Sequence, residues 1–392
     1  DLRAKDMSRL FRLAGNAPPP AVAKLGAMTL KARVTGGLDR LKLNADLGVA
    51  KGFVRASGSV GHLSEAPDFD LRLVVEHKNF VSLLQAFDYR PKSANLGSLS
   101  LKARMEGTGA SVAFSGIDGR IGPVKIAGKM GARLDGVRPV ITAQLEAGEI
   151  PVHRFLPTGG TRAASSAAPQ KAGSAPRQGG KGSAAHWSKA PLDLSGLRLA
   201  DVALDLSAAV LVYDNLRVKD PRLGIALKEG VFELNKLSGS LFGGTFDATA
   251  KLADHKPATM SGKLVVRGAN IRKALFASSG FDLGDGNLDF DADLKTSGKS
   301  EHALVSALHG LANIRVKDGI AKGFDLDAVS ARLNNLNGPE AFLGLLDSAL
   351  SGGETRFKEL SGKVRVVNGI AQMEDMRMEA KSGTADLSGK VD

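Results

Sequence analysis

Between Leu288 and Leu294 the chain reads Leu288-Asp289-Phe290-Asp291-Ala292-Asp293-Leu294, an order that in an extended strand sends every apolar side chain to one face and every carboxylate to the other. The same alternation returns in Leu41-Lys42-Leu43-Asn44-Ala45-Asp46-Leu47, in Leu99-Ser100-Leu101-Lys102-Ala103-Arg104-Met105 and in Val202-Ala203-Leu204-Asp205-Leu206, each bounded by Gly, Asp, Asn or Ser. Fully burying a Leu or Phe side chain is worth roughly 1.5–3 kcal/mol, so several per strand over many strands cannot be left facing water. What covers the apolar face is therefore the question on which function turns.

Glycine supports this reading. The 47 Gly sit mostly between the periodic segments, where many short strands need many tight turns. The expectation is a mainly β fold: an elongated, twisted, largely antiparallel sheet curled into an apolar groove, with a few short helices. There is no Cys, which excludes disulfides, thiolate metal sites and a cysteine nucleophile. The net charge of +12 favours anionic partners. Because the basic residues are scattered strand by strand and aromatics make up only 5% of the chain, an anionic membrane surface fits better than nucleic acid. No apolar run is long enough to span a bilayer as a helix, and a transmembrane barrel would need aromatic girdles that one Trp and two Tyr cannot supply. Asp1 opens the sequence without a signal-like segment, so an export signal or anchor is expected upstream.

Composition divides the chain. Residues 1–27 end in Pro18-Pro19-Pro20 and read as helix plus linker, and 28–157 form a first β-groove segment. Residues 158–190 are small, polar and basic with almost nothing to bury, which reads as a disordered linker, and 191–392 form a second β-groove segment. The two β segments share a phrase: Leu73-Val74-Val75 followed by Asn79-Phe80-Val81 matches Leu264-Val265-Val266 followed by Asn270-Ile271-Arg272. In both, a strand feeds a short helix. A weaker third copy runs from Ala143 to Leu156, and Ala303–Leu308 and Ala341–Leu346 fit further short helices. Asp118-Gly119, Glu229-Gly230, Asp318-Gly319 and Asn368-Gly369 read as hairpin turns, and Gly243-Gly244 and Gly284-Asp285-Gly286 as turns.

The second segment also carries an ordered series of phrases. These are Asp205-Leu206-Ser207, Leu211-Val212-Tyr213-Asp214-Asn215-Leu216, Leu237-Ser238-Gly239-Ser240-Leu241-Phe242-Gly243-Gly244-Thr245 and Leu304-Val305-Ser306-Ala307-Leu308-His309-Gly310. Then follow Val316-Lys317-Asp318-Gly319-Ile320, Phe324-Asp325-Leu326, Thr355-Arg356-Phe357 and Val367-Asn368-Gly369-Ile370. In order and spacing this series resembles the AsmA-like C-terminal region and covers about half the chain. The resemblance implies a Gram-negative envelope protein, tethered to the inner membrane and projecting a β-groove into the periplasm. Its expected role is outer-membrane lipid homeostasis, with phospholipid moving along an apolar trough.

Other chemistry finds little support. None of the seven His lies in a His-Glu-x-x-His motif; His302 and His309, seven apart on one expected helix, read as solvated or capping residues. The Asp289, Asp291, Asp293 ladder lacks the Gly and Glu of a calcium loop and reads as a wet strand face beside opposing Lys. No phosphate-binding Gly-rich loop or Gly-x-Ser-x-Gly elbow is present, so no catalytic residue, metal or cofactor is expected and the chain reads as a non-enzyme.

The candidate groove lining is Leu41, Leu43, Leu99, Leu101, Met105, Leu204, Leu206, Val266, Leu288, Phe290, Leu294, Phe324 and Leu326. Two readings of these residues stay open. In one they line a trough holding phospholipid acyl chains while headgroups stay wet. In the other they are the sealed core of a structural protein that assists envelope or outer-membrane protein assembly by offering a β-edge.

Overall fold

The computed structural model describes residues 2–4, 28–37, 39–49, 52–62, 67–86, 89–156, 187–279, 282, 284–323, 325 and 353–391. Among these are nineteen strands and four short α-helices, which confirms a mainly β chain. They fall into two compact units, Asp1–Arg162 with Arg198–Glu229, and Ala163–Leu197 with Gly230–Asp392.

The first unit contains β1 (Leu2–Ala4), β2 (Met28–Gly37), β3 (Arg40–Val49), β4 (Gly52–Gly61), β5 (Asp68–His77) and α1 (Phe80–Ala86). Next come β6 (Leu99–Thr108), β7 (Ser111–Ile121), β8 (Val124–Arg133), β9 (Val140–Pro151), α2 (Val152–Phe155), β10 (Asp201–Tyr213) and β11 (Leu216–Lys228). Each strand from β1 to β8 pairs antiparallel with the next, β9 pairs parallel with β10, and β10 pairs antiparallel with β11. The parallel step has a covalent cause: the chain leaves the end of β9 and returns through a long connection to start β10 beside the start of β9. By contacts the chain changes unit at Arg162/Ala163, at Leu197/Arg198 and at Glu229/Gly230. Leu2–Ala4 are extended and paired with β2 where a helix or linker was expected, and the remainder of 1–27 lies outside the described residues.

The second unit contains β12 (Val231–Leu241), β13 (Gly244–Ala253), β14 (Ala258–Asn270), α3 (Ile271–Ser279), β15 (Gly284–Gly298) and α4 (Glu301–Ser306). It continues with β16 (His309–Lys322), β17 (Glu354–Val367), β18 (Ile370–Ala380) and β19 (Gly383–Val391), and all neighbours from β12 to β19 are antiparallel. Apart from β1, the strands run nine to fifteen residues, longer than the short strands that the turn-rich sequence suggests.

The repeated strand–helix phrase has a common physical basis in its asparagine. Asn79 Oδ1 accepts from Ser82 N at 3.3 Å to start α1, and Asn270 Oδ1 accepts from Lys273 N at 3.0 Å to start α3. The weaker third copy enters α2 through Pro151, which provides no side-chain cap, and that helix is a single turn. Ser300 caps α4 by accepting from Ala303 N at 3.1 Å. The expected helix at Ala341–Leu346 lies outside the described residues.

Asn368-Gly369 is a two-residue turn with both φ angles positive, as a hairpin between twisted strands requires, and Glu229-Gly230 is likewise a turn with both φ angles positive. Phe242-Gly243 makes a third such turn, and Gly244 already begins β13. Three expected turns are instead interior to strands. Asp118-Gly119 lies within β7, where Gly119 faces Leu101 and a Cβ would strike the Ser100 carbonyl. Asp318-Gly319 lies within β16, where Asp318 (φ 50°) is an unpaired bulge residue and Gly319 makes room for the Phe357 ring. Gly284-Asp285-Gly286 opens β15, with a register shift between Asp285 and Asn287. In each case the glycine serves close approach or a bulge, two uses that sequence alone does not separate from a turn. His302 lies on α4 and His309 opens β16, so the two do not share a helix.

Fully buried apolar residues are few among those described. In the second unit Val316 (1% exposed), Phe357 (7%) and Met378 (5%) form a closed cluster, joined by Ile271 of α3. In the first unit Leu71, Val81 of α1, Leu96, Ile117 and Val124 are buried.

Candidate functional site

Residues directly opposed across two strands share a sheet face, so the register shows how far an apolar surface extends. In the first unit one row runs Val34, Leu43, Gly58, Leu71, Met105, Phe114, Met130, Ala143, Leu204, Ile225, each paired with the next across β2 to β11. A parallel row on the same face runs Gly36, Leu41, Val60, Phe69, Gly107, Val112, Ala132, Ile141, Val202, Leu227. A third runs Leu30, Leu47, Val54, Val75, Leu101, Gly119, Ile126, Ala147, Ala208. No polar side chain interrupts any of them. At about 4.8 Å between strands, the ten-strand rows extend on the order of 40 Å, longer than the roughly 30 Å hydrocarbon core of a bilayer.

The second unit repeats the arrangement. Its longest row runs Leu237, Ala248, Leu264, Ala292, Ala312, Val364, Met373, Gly389 across all eight strands. Beside it lie Gly239, Phe246, Val266, Phe290, Ile314 and Gly362.

The candidate lining residues fall on these faces. Leu41, Leu43, Leu99, Leu101, Met105, Leu204 and Leu206 share the apolar face of the first unit, and Val266, Leu288, Phe290 and Leu294 that of the second. All eleven are half-buried. Leu288 packs against the closed Val316–Phe357–Met378 cluster, so this part of the face is covered by the protein itself. Phe324 and Leu326 lie outside the described residues. The register also adds residues that alternation alone did not single out, among them Leu71, Phe114, Met130, Leu264, Ile314 and Met373. Apart from Leu71, whose strand alternates without a break, each sits in a strand whose apolar pattern is broken by Gly, Ala or a bulge, and only its partner across the sheet reveals the face it joins.

Within each unit the strands form a single hydrogen-bonded succession, with no separate second sheet among the described residues. Partial burial along the rows follows from this. Val34 remains 52% exposed and Met130 39% exposed, whereas the inner face of a two-layer sandwich would be dry along its length.

The opposite faces are polar and ion-paired. Arg55 meets Asp46 at 2.8 Å, Arg104 grips Asp70 through two hydrogen bonds of 2.8 and 2.7 Å, and Lys263 meets Asp293 at 3.1 Å. Asp291 accepts from Asn313 at 2.7 Å and Asp289 from Gly268 N at 2.9 Å. The aspartate ladder is thus a hydrogen-bonded, half-buried strand face with the expected opposing Lys. Arg365 donates to Glu374 at 2.8 Å, which lowers the glutamate's pKa, chiefly through that hydrogen bond. Open clefts with lining side chains lie on these polar faces. One of about 720 Å³ in the first unit includes Lys42, Arg72 and Arg104, and one of about 560 Å³ in the second includes Arg267, Arg315 and Lys363. No group of three or more acidic or His side chains among the described residues is placed to hold a metal ion, and no described helix is long and apolar enough to cross a membrane.

No curated protein sequence and no solved structure matches the chain. The sequence profile of the AsmA family does match, over residues 31–376, a span that enters β2 and ends within β18 and so takes in both apolar faces. With most of the chain inside that match, and with two glycine-rich, one-sided β units built alike, the protein belongs to the AsmA family.

Proposed function

We propose that the protein binds phospholipid acyl chains on its apolar sheet faces and supports phospholipid transfer and outer-membrane lipid homeostasis in the periplasm of a Gram-negative envelope, associated with the inner membrane. The observation that carries this reading is the set of apolar rows crossing ten strands without a polar interruption and with only partial burial. An aliphatic surface of Leu, Val, Ile, Met and Ala offers area without directional bonds, so a chain seated on it can slide. Acyl chains lie along the rows while headgroups stay in water at the strand ends. The reading assigns no bond-making step and no cofactor.

The test is native mass spectrometry of the purified protein with lipid extraction, together with binding of a fluorescent fatty acid. Leu101→Asp and Phe290→Asp place a charge at half-buried positions of the two faces. The expected result is bound lipid in the parent protein and its loss in both variants, with circular dichroism unchanged. Unfolding of both variants, in a parent protein free of lipid and without affinity for the fatty acid, would establish a sealed core and overturn the reading.

A further inference from the structure

The polar face of β2–β5 carries a charge imbalance that the polar cleft of the second unit lacks. Two adjoining clefts of about 720 and 480 Å³ share Asn44 and Ser57 as lining residues. Together they are lined by six cations, Lys31, Arg33, Lys42, Arg55, Arg72 and Arg104, against two carboxylates, Asp46 and Asp70. Both carboxylates are already engaged, Asp46 by Arg55 and Asp70 by Arg104. That leaves Lys31, Arg33, Lys42 and Arg72 with no direct ion pair among the described residues.

The register shows why they converge. Arg33 pairs with Asn44, Asn44 with Ser57 and Ser57 with Arg72, so two free guanidinium groups flank an amide and a hydroxyl in one cross-strand row. Lys42 opposes Ser59 one row away on the same face, and Lys31 opposes Asp46 one row to the other side. Rows on one face are about 7 Å apart. All four are exposed; Asn44 and Ser57, between Arg33 and Arg72, carry no charge, and Asp46 and Asp70 in the flanking rows are held by Arg55 and Arg104. By contrast, the cleft in the second unit sets Arg267, Arg315 and Lys363 against Asp289, Asp291 and Asp375, and the cleft at β7–β10 sets Lys129 against Asp205.

The geometry points to a second binding surface, on the side of the sheet opposite the acyl-chain rows: the polar face of β2–β5 docks on the phosphate headgroups of an anionic membrane. Four unpaired cations spread over three rows match several phosphates presented side by side better than one small anion, which two of them would saturate. Asn44, Ser57 and Ser59 donate to the phosphate and glycerol oxygens between them. This inference rests on the reading that the chain works against membranes, and it assigns the membrane contact to a face that the transported acyl chains do not occupy.

The test is co-sedimentation of the full chain with phosphatidylglycerol/phosphatidylethanolamine vesicles and with phosphatidylcholine vesicles at physiological salt. A variant combining Lys31→Gln, Arg33→Gln, Lys42→Gln and Arg72→Gln is compared with a variant removing four cations from the second unit, Lys251→Gln, Lys263→Gln, Arg315→Gln and Lys363→Gln. The expected result is binding to anionic vesicles alone, weakened on the order of 100-fold in the first variant and less than about tenfold in the second. Fatty-acid binding should be unchanged in the first variant, which separates failure here from failure of the acyl-chain reading. Equal losses in the two variants would reduce the effect to net charge and overturn the proposal. Complete displacement of the protein from vesicles by millimolar glycerol 3-phosphate would also overturn it, in favour of a site for a soluble phosphate.

Discussion

The two units share one face and differ in the other. Both carry apolar rows that cross the strands without interruption, but the polar cleft of the first unit has surplus cations whereas that of the second balances three cations with three carboxylates. They differ in their cores as well. The second unit closes Val316, Phe357 and Met378 into a cluster under Ile271, while the buried residues of the first form no comparable closed group among those described. A property present in both units belongs to the shared function, and a property confined to one unit marks what that unit does alone. By this logic the apolar face is the feature common to both units and the cationic cleft is local to one.

The largest effect expected from breaking this comparison is on the closed cluster. Phe357→Ala should cost about 3–5 kcal/mol, because a 7%-exposed aromatic ring would leave a cavity that its strand neighbours cannot fill. The sole Trp, Trp187, lies in the second unit beside α4, where Ser188 N donates to Glu301 at 3.2 Å, so denaturant unfolding followed by its fluorescence reads that unit. The first unit is tested at Gly122, which has φ +57° and whose Cβ position is blocked by the Leu96 carbonyl. Gly122→Ala should lower stability by about 1–3 kcal/mol in thermal unfolding followed by circular dichroism, with the Trp187 transition unchanged if the units unfold separately.

A smaller effect separates the capped helices. Asn270→Ala should cost about 1 kcal/mol through loss of the α3 cap, whereas Pro151→Ala at α2 removes no side-chain cap, a difference that urea midpoints will show.

The smallest concerns pH. The Arg104 hydrogen bond, aided by the charges of Arg104, Arg72 and Arg40, holds the Asp70 carboxyl below the ordinary aspartate value. A depressed folded-state value means that its stabilisation is complete above the unfolded-state value and is lost as pH falls through the folded one. Solvent exposure keeps the stability change slight, so the measurement is an NMR titration. Arg104→Gln should raise the Asp70 midpoint, and an unchanged midpoint would show that the paired geometry does not persist in solution.

Alternation in Leu288–Leu294 and Leu41–Leu47 was enough to name strands and the face of each Leu, because side-chain direction in a strand repeats every two residues and needs no partner. The Asn-led helices were legible for the same reason, since a cap is satisfied within three residues. Asp118-Gly119 and Asp318-Gly319 were misread as turns because Gly serves turns, bulges and close approaches alike, and the Leu101 backbone and the Phe357 ring that demand it come from other strands. The cationic cleft was illegible as well. Lys31, Arg33 and Lys42 fall within twelve residues and Arg72 lies thirty further on, and no spacing shows that they share one face until the register of β2–β5 is fixed.

By itself the sequence settles that this chain forms one-sided strands joined by glycine turns, because both are short-range consequences of backbone geometry. Tertiary structure decides the rest: the register that lines up separate Leu, Val and Met residues into continuous rows, and the parallel return of β10 onto β9 that extends the first unit by two strands. A one-residue slip at any pairing would turn a strand's apolar side chains to the wet face, so the continuity of the surface is set by every turn and bulge together and by no single segment.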